Sequence, residues 1–523
     1  MTTLMSRALP LATALAIIGT MAPVQAQPAN LDLSAAPNMD AVKLAPGGLD
    51  LALDQLEGTI ATIMERSLVP GVAVAVVHGG ETVFAQGFGV RKLGEDDPVT
   101  PDTVFQIASV SKPLAATVAA IAVSNGLVAW DDLVTAHLPE FRLNDDWVTE
   151  HATIGDLYAH RSGLPLGGGD ELEDLGFTRA EIMARLHLLP LDSFRTSYNY
   201  SNFGITSGAE AVAAATGKSW EDLSEATLYD PLGMTATSSR NADFVARANR
   251  ASLHTLVDGS LQPLYQRNAD PQAPAGGISS TVIDLAEWLK LLLADGERDG
   301  QQLIDPAALQ AALSPQAFSS PGHVPSARPS FYGYGFNVGI GADGRTVFGH
   351  SGAFTLGAAT RIQFIPSADV GIVVLTNAGP LGAAEAIANS FLDTVQFGEP
   401  TRDWYDAFHP RMVAFYDPEG DLGDSAPPAQ PAPARPLDAY LGIYQNDYFG
   451  PLEVTQGDSG LTARLGPRGD SFTLTHWDGE VFAMAPRNEN APAGSKSSVT
   501  FDPADGSVLI EYFNRNGLGR WQR

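Results

Sequence analysis

The 523-residue chain contains no cysteine. That absence excludes thiol nucleophiles, thiolate metal sites, disulfides and a lipid-modified cysteine, and leaves covalent chemistry to oxygen nucleophiles. Positive charge is scarce, with 31 Lys and Arg against 60 Asp and Glu and a net charge of −29. Such a chain repels phosphate backbones and anionic membrane surfaces, which argues against a nucleic-acid partner. Long apolar runs are missing too. The nearest candidate, residues 8–22, contains Pro10 and Gly19 and is shorter than the roughly 20 residues a spanning helix needs. Arg7 before this run and Val24-Gln25-Ala26 after it have the charged start and small-x-small end of a cleaved signal peptide over residues 1–26. The expected location is therefore periplasmic or secreted, in a bacterium, with no stable membrane insertion after cleavage.

The length allows a large domain and a smaller one. Residues 27–48 are polar and contain Pro and Gly, and read as an N-terminal extension. From Leu51 a helix is predicted, because Leu53, Leu56, Ile60, Ile63 and Met64 fall on one face at 3.6 residues per turn. Runs at 71–77 and 82–90, around His78-Gly79-Gly80-Glu81, predict a hairpin. The middle, 104–296, reads as helical, including 113–124 and 282–294. Strand patterns return at 334–339, 360–365 and 370–375, before a helix over 381–392. This order predicts an α/β protein of the α+β type, an antiparallel sheet flanked by helices with a helical subdomain inserted. The Pro/Ala stretch 426–434 reads as a semi-rigid spacer. The division is 49–415 for the main domain, 416–436 for the linker and 437–523 for a small all-β domain. There is no internal repeat.

Only one of six lysines has a serine three places before it, in Ser109-Val110-Ser111-Lys112. On a helix that spacing puts hydroxyl and amine on one face, so a neutral Lys112 could take the proton of Ser109. The start of a helix also favours an oxyanion beside Ser109. Two further groups stand out, Tyr200-Ser201-Asn202 and His350-Ser351-Gly352, the second expected on an edge strand lining a cleft. Each alone reads equally as a turn. The ten histidines form no compact ligand set, so no metal and no cofactor are expected. Gly349-His350-Ser351-Gly352-Ala353 approaches the Gly-x-Ser-x-Gly elbow but lacks its last glycine. Asp170, Glu171, Glu173 and Asp174 read as a solvated loop, and His160 as part of a structural turn. Trp288, Phe364 and Phe391 read as core; Tyr334 and Phe336 are placed near the cleft without a role.

In order, Ser-x-x-Lys, Tyr-x-Asn and His-x-Gly form the three-part signature of serine β-lactamases and penicillin-binding proteins. The chain resembles the superfamily of class C β-lactamases and D-alanyl-D-alanine carboxypeptidases from about Leu51 to Leu392. Phe105-Gln106-Ile107-Ala108 before the serine, Leu138-Pro139-Glu140-Phe141, His160-Arg161-Ser162-Gly163-Leu164-Pro165 and Ala275-Gly276-Gly277-Ile278 add to it. The resemblance implies Ser109 as nucleophile, Lys112 as its proton partner and Tyr200 as the acid for the leaving group. It implies that Asn202 holds Lys112 and the acyl side of the substrate. The oxyanion would lie between the backbone N–H groups of Ser109 and Ala353, just after Gly352, with His350 shaping the leaving-group side. His350 departs from the lysine-bearing branch, whose lysine helps hold a substrate carboxylate. The implied activity is a serine hydrolase working through an acyl-enzyme on a small molecule or short peptide. A peptidase or amidase comes first, an esterase second, then a β-lactamase or a non-enzymatic receptor. Beyond the spacer, Leu441-Gly442-Ile443-Tyr444 and Leu474-Thr475-His476-Trp477 resemble lipocalin-like β-domains found behind some of these hydrolases. The sequence carries no signal for oligomeric state.

Overall fold

The seven residues from Gly71 to Val77 are small or β-branched and buried on both faces of their strand, which makes them the middle of a sheet. The computed structural model describes residues 42–322, 324–423, 425–457 and 460–523; the 1–26 segment read as a signal peptide lies outside them. Helix α1 (Gly48–Ser67) leads into strands β1 (Gly71–His78) and β2 (Glu81–Gly89). The helical region follows, with α2 (Ser111–Ser124), α3 (Asp170–Asp174), α4 (Asn202–Thr216) and α5 (Val282–Leu293). The sheet resumes with β3 (Ala317–Ser320), β4 (Ser330–Tyr332), β5 (Asn337–Ile340), β6 (Thr346–Phe354), β7 (Ala358–Ile365) and β8 (Val370–Thr376), before α6 (Ala383–Phe397). The eight strands run in the order β2-β1-β8-β7-β6-β5-β4-β3, all antiparallel.

Strand pleat sorts the core. Val72, Val74 and Val76 pack with Leu56, Ile60 and Ile63 of α1 and Ile387 and Phe391 of α6. The alternate Ala73 and Ala75 face the helical subdomain with Leu289 and Trp288 of α5, where small side chains let a helix lie close. Trp288, Phe364 and Phe391 are buried as expected; Tyr334 and Phe336 are core as well, and Tyr334 stacks on Trp130. The strand predicted at 334–339 begins later because Gly335, at φ 77°, packs on α2. A Cβ on Gly335 would meet the Lys112 carbonyl oxygen at 2.7 Å.

The edge-strand expectation for His350 is corrected. β6 lies between β5 and β7, but β5 pairs only with Thr346 to Gly349. From His350 onward one side of the strand is therefore open, and that side faces the helical subdomain. Among the described residues no helix is long and apolar enough to cross a membrane.

The C-terminal strands β9 (Gly442–Tyr444), β10 (Leu452–Gly457), β11 (Gly460–Leu465), β12 (Asp470–Asp478), β13 (Val481–Met484), β14 (Ser497–Phe501), β15 (Val508–Ile510) and β16 (Arg520–Trp521) pair in sequence order. A bridge between Gln445 and Gln522 joins the ends into a nearly closed barrel, filled by Tyr440, Tyr444, Phe449, Phe482, Phe501 and Trp521. The Pro/Ala stretch has no helix or strand, yet the Ala432 N–H donates to Asp478 and Arg435 pairs with Glu480.

Candidate active site

Ser109 lies in a single 3-10 turn, Ala108–Val110, directly before α2. Ala108 takes φ 47°, a left-handed conformation that costs a non-glycine residue on the order of 1–3 kcal/mol. Its neighbours hold it there. The Ile107 N–H donates to the Ile278 carbonyl, the Thr360 hydroxyl donates to the Ile107 carbonyl, and Ser111 Oγ accepts from the Ile278 N–H.

One turn on, Lys112 is completely buried. Its Nζ lies 3.0 Å from Ser109 Oγ, 2.7 Å from Asn202 Oδ1 and 2.8 Å from the Ala275 carbonyl. Burial pushes its pKa down to about 7, against a smaller upward pull from Asp170. A neutral amine has two N–H donors and one lone pair. With Asn202 and Ala275 as fixed acceptors taking the two donors, the lone pair is left for the Ser109 hydroxyl.

Tyr200 hydrogen-bonds Ser109, and its phenol is held well above its usual range by loss of solvation. The Lys112 ammonium position lies 4.5 Å from the centroid of its ring. On the other side His160 packs at 4.5 Å. His160 is a turn residue, at φ 57°, and its Nδ1 accepts from the Ser201 N–H, which fixes the chain next to Tyr200. Ser201 caps α4 by accepting from the Gly204 N–H, so Asn202 begins that helix aimed at Lys112.

The acidic group at 170–174 overturns the solvated-loop expectation. Glu171, Glu173 and Asp174 are buried on α3, and Asp170 accepts from Asn202 Nδ2. Burial raises the carboxyl of Asp170 well above the usual range, and the Asn202 amide pulls it back. The sequence signal for this contact was Gly167-Gly168-Gly169. Gly169 has φ 100°, and a Cβ there would meet the Phe203 ring at 2.6 Å.

Across the cleft, His350 Nδ1 lies 2.6 Å from its neighbour's Ser351 carbonyl and must carry the proton; Nε2 accepts from Tyr332 at 2.9 Å. Burial pushes its pKa down to about 3. Both ring nitrogens are used, and the ring is neutral. Tyr332, two residues before the Tyr334 singled out in the sequence, is the aromatic of this wall. Gly352 approaches the nucleophile most closely. A Cβ there would meet the Ile107 carbonyl oxygen at 2.3 Å and the Ser109 nitrogen at 3.0 Å, which brings the backbone of Gly352 and Ala353 beside that of Ser109.

The structure thus gathers Ser109, Lys112, Tyr200, Asn202, His350, Gly352 and Ala353 around one cleft. No three His, Asp or Glu among the described residues are placed to hold a metal ion. A cavity of about 790 Å³ opens elsewhere, between Phe141, Phe177, Met183 and Arg468, and none of the seven residues lines it.

The model of the family described as Beta-lactamase matches residues 56–394, and that of a domain of unknown function, DUF3471, matches 426–510. An unguisins hydrolase from Aspergillus campestris (strain IBT 28561) is 27% identical over 427 residues, 77% of this chain and 78% of that protein. Esterase EstB from Burkholderia gladioli is 34% identical over 249 residues, 44% of this chain and 59% of its own. An octameric penicillin-binding protein homologue from Pyrococcus abyssi superposes with a TM-score of 0.58 at 21% identity, over 90% of this chain and all of that one.

Proposed function

The chain belongs to the beta-lactamase family of serine hydrolases, and from that premise we propose that it cleaves amide bonds in small peptides through an acyl-enzyme on Ser109. The observation that carries this reading is the pairing of a buried amine with a pKa of about 7 and a phenol held protonated, both hydrogen-bonded to one serine hydroxyl.

Lys112 takes the Ser109 proton as Oγ attacks the substrate carbonyl. The oxyanion sits between the N–H groups of Ser109 and Ala353, where fixed dipoles stabilise the charge as it develops. Tyr200 gives its proton to the departing amine and recovers one from Lys112. Water then attacks the ester along the same path in reverse and releases the acid and Ser109. An amine is a poor leaving group, so an acid kept protonated at neutral pH favours amides over a site built only for esters.

A second reading, an esterase, is favoured by the 34% identity to EstB over 249 residues. Neutral His350 gives no cation to a substrate carboxylate, which disfavours β-lactam turnover. The two readings separate on an amide and an unactivated ester carrying the same acyl group. Products from a mixed L- and D-peptide library are expected, with poor cephalosporin hydrolysis. Rapid ester turnover with no peptide cleaved would replace the peptidase by the esterase.

A further inference from the structure

Two adjacent residues of the C-terminal domain reach the two walls of the cleft. The Glu489 carboxylate accepts from the backbone N–H of Thr355 at 2.7 Å and of Leu356 at 3.3 Å, and its carbonyl accepts from the Thr355 hydroxyl. Thr355 and Leu356 form the tight turn between β6 and β7, closed by the Gly357 N–H donating to the Phe354 carbonyl. That turn begins two residues after Ala353. Among the described residues the carboxylate placed on these N–H groups is that of Glu489, 134 residues from Thr355 in the chain.

The same contact is tied to the rest of the site. Arg267 lies 3.5 Å from Glu489 and 3.0 Å from Glu173 of α3, with its guanidinium over the Phe354 ring. The Arg267 carbonyl accepts from Gln106, three residues before Ser109. Asn490, the next residue, donates to Asp174 at 2.7 Å, one turn of α3 from Asp170, which orients Asn202. The segment 488–491, between β13 and β14, is itself braced, since Asn488 accepts from Tyr512 and pairs with Ala491.

We propose that Glu489 is a positioning residue for the reaction at Ser109, and that the C-terminal domain supplies it to hold the end of β6 in register with the nucleophile. The carboxylate fixes the two N–H groups of the turn, the turn fixes Phe354 and Ala353, and Ala353 presents its N–H to the oxyanion. The role rests on the reading of Ser109 and Ala353 given above. It acts on the transition state more than on substrate binding, because the oxyanion forms only during attack.

The test uses the full chain and Glu489→Ala and Glu489→Gln. Active sites are counted by stoichiometric labelling with a fluorophosphonate, and kcat and KM for a nitrophenyl ester are expressed per labelled site. A purely structural role would lower the number of sites and leave the rate of each unchanged. Positioning predicts a kcat per site about tenfold or more lower in Glu489→Ala, on the scale of a weakened oxyanion donor, with KM within twofold. Glu489→Gln, which keeps one carbonyl acceptor, should lie between that variant and the wild type. A kcat per site within twofold of wild type in Glu489→Ala overturns the inference. If that variant does not fold, a kcat per site in Glu489→Gln equal to that of the wild type overturns it. Loss of labelling in the wild type would instead remove the serine hydrolase reading, and this role with it.

Discussion

Asn202 gives its amide to both carboxylate oxygens of Asp170, at 3.1 Å each, which leaves its carbonyl turned toward Lys112 at 2.7 Å. An amide can flip end for end with little change of shape, and Asp170 is what makes one orientation favourable. Asp170 therefore governs the lone pair of Lys112 through Asn202.

Asp170→Ala should lower kcat by on the order of 10- to 100-fold, the scale of a misplaced reacting group. It should also move the acid limb of the pH–rate profile to lower pH, because the carboxylate that raises the proton affinity of Lys112 is gone. A profile that stays in place, measured on the folded variant, would show that Asp170 only fills space.

In the wild type kcat/KM should rise with pH through about 7 and then level, since Lys112 accepts the Ser109 proton only when neutral. Tyr200, held well above its usual range, and His350, near 3, add no limb between. Lys112→Arg keeps a cation that cannot deprotonate and should be inactive at every pH; Tyr200→Phe should lose about 10²-fold. Near-normal turnover in either variant would mean a different proton path.

Ser109→Ala should abolish labelling by a serine-reactive phosphonate with little change in melting temperature. Intact-mass spectra showing full labelling of this variant would place the nucleophile elsewhere.

Gly352→Ala puts a methyl where the Ile107 carbonyl, the Thr360 hydroxyl and the Ser109 nitrogen already stand. β6 must move away from the nucleophile, at a cost of about 1–3 kcal/mol for overpacking and a larger proportional loss of kcat. A variant as active as wild type would show that the close approach is not needed.

From the N-terminal pattern we propose export with cleavage after Ala26, which would leave Gln27 as the first residue. Mass spectrometry of the protein recovered from the periplasm or medium of a bacterial host checks this, and an intact Met1 there would refute it.

Much of the site was legible because its chemistry is local in sequence. Ser109 and Lys112 share one helical face, and each other motif is a tripeptide. The paired runs at 71–77 and 370–375 showed the sheet through their composition alone. The strand carrying His350 was harder to read: Thr346 to Phe354 contains two glycines and lacks strict alternation, and its pairing partners change halfway along. Asp170 was hidden for another reason. Four acids within five residues look solvated until Arg267 and Gln272 cover Glu173, Asn490 covers Asp174 and Asn202 covers Asp170, each from far along the chain. Glu489 offered no motif, because a carboxylate capping a distant turn leaves no periodicity behind.

The pairing of β1 with β8 joins Val72 to Thr376, roughly 300 residues apart. At roughly 5–20 residues per second, synthesis takes between roughly 15 and 60 s to cross that gap. Throughout this interval β1, apolar on both faces, has left the ribosome without its partner on either the α6 side or the β8 edge. Such a strand invites pairing with other chains. A chaperone that holds the nascent chain unfolded until its later third is made would shield this strand until β8 arrives.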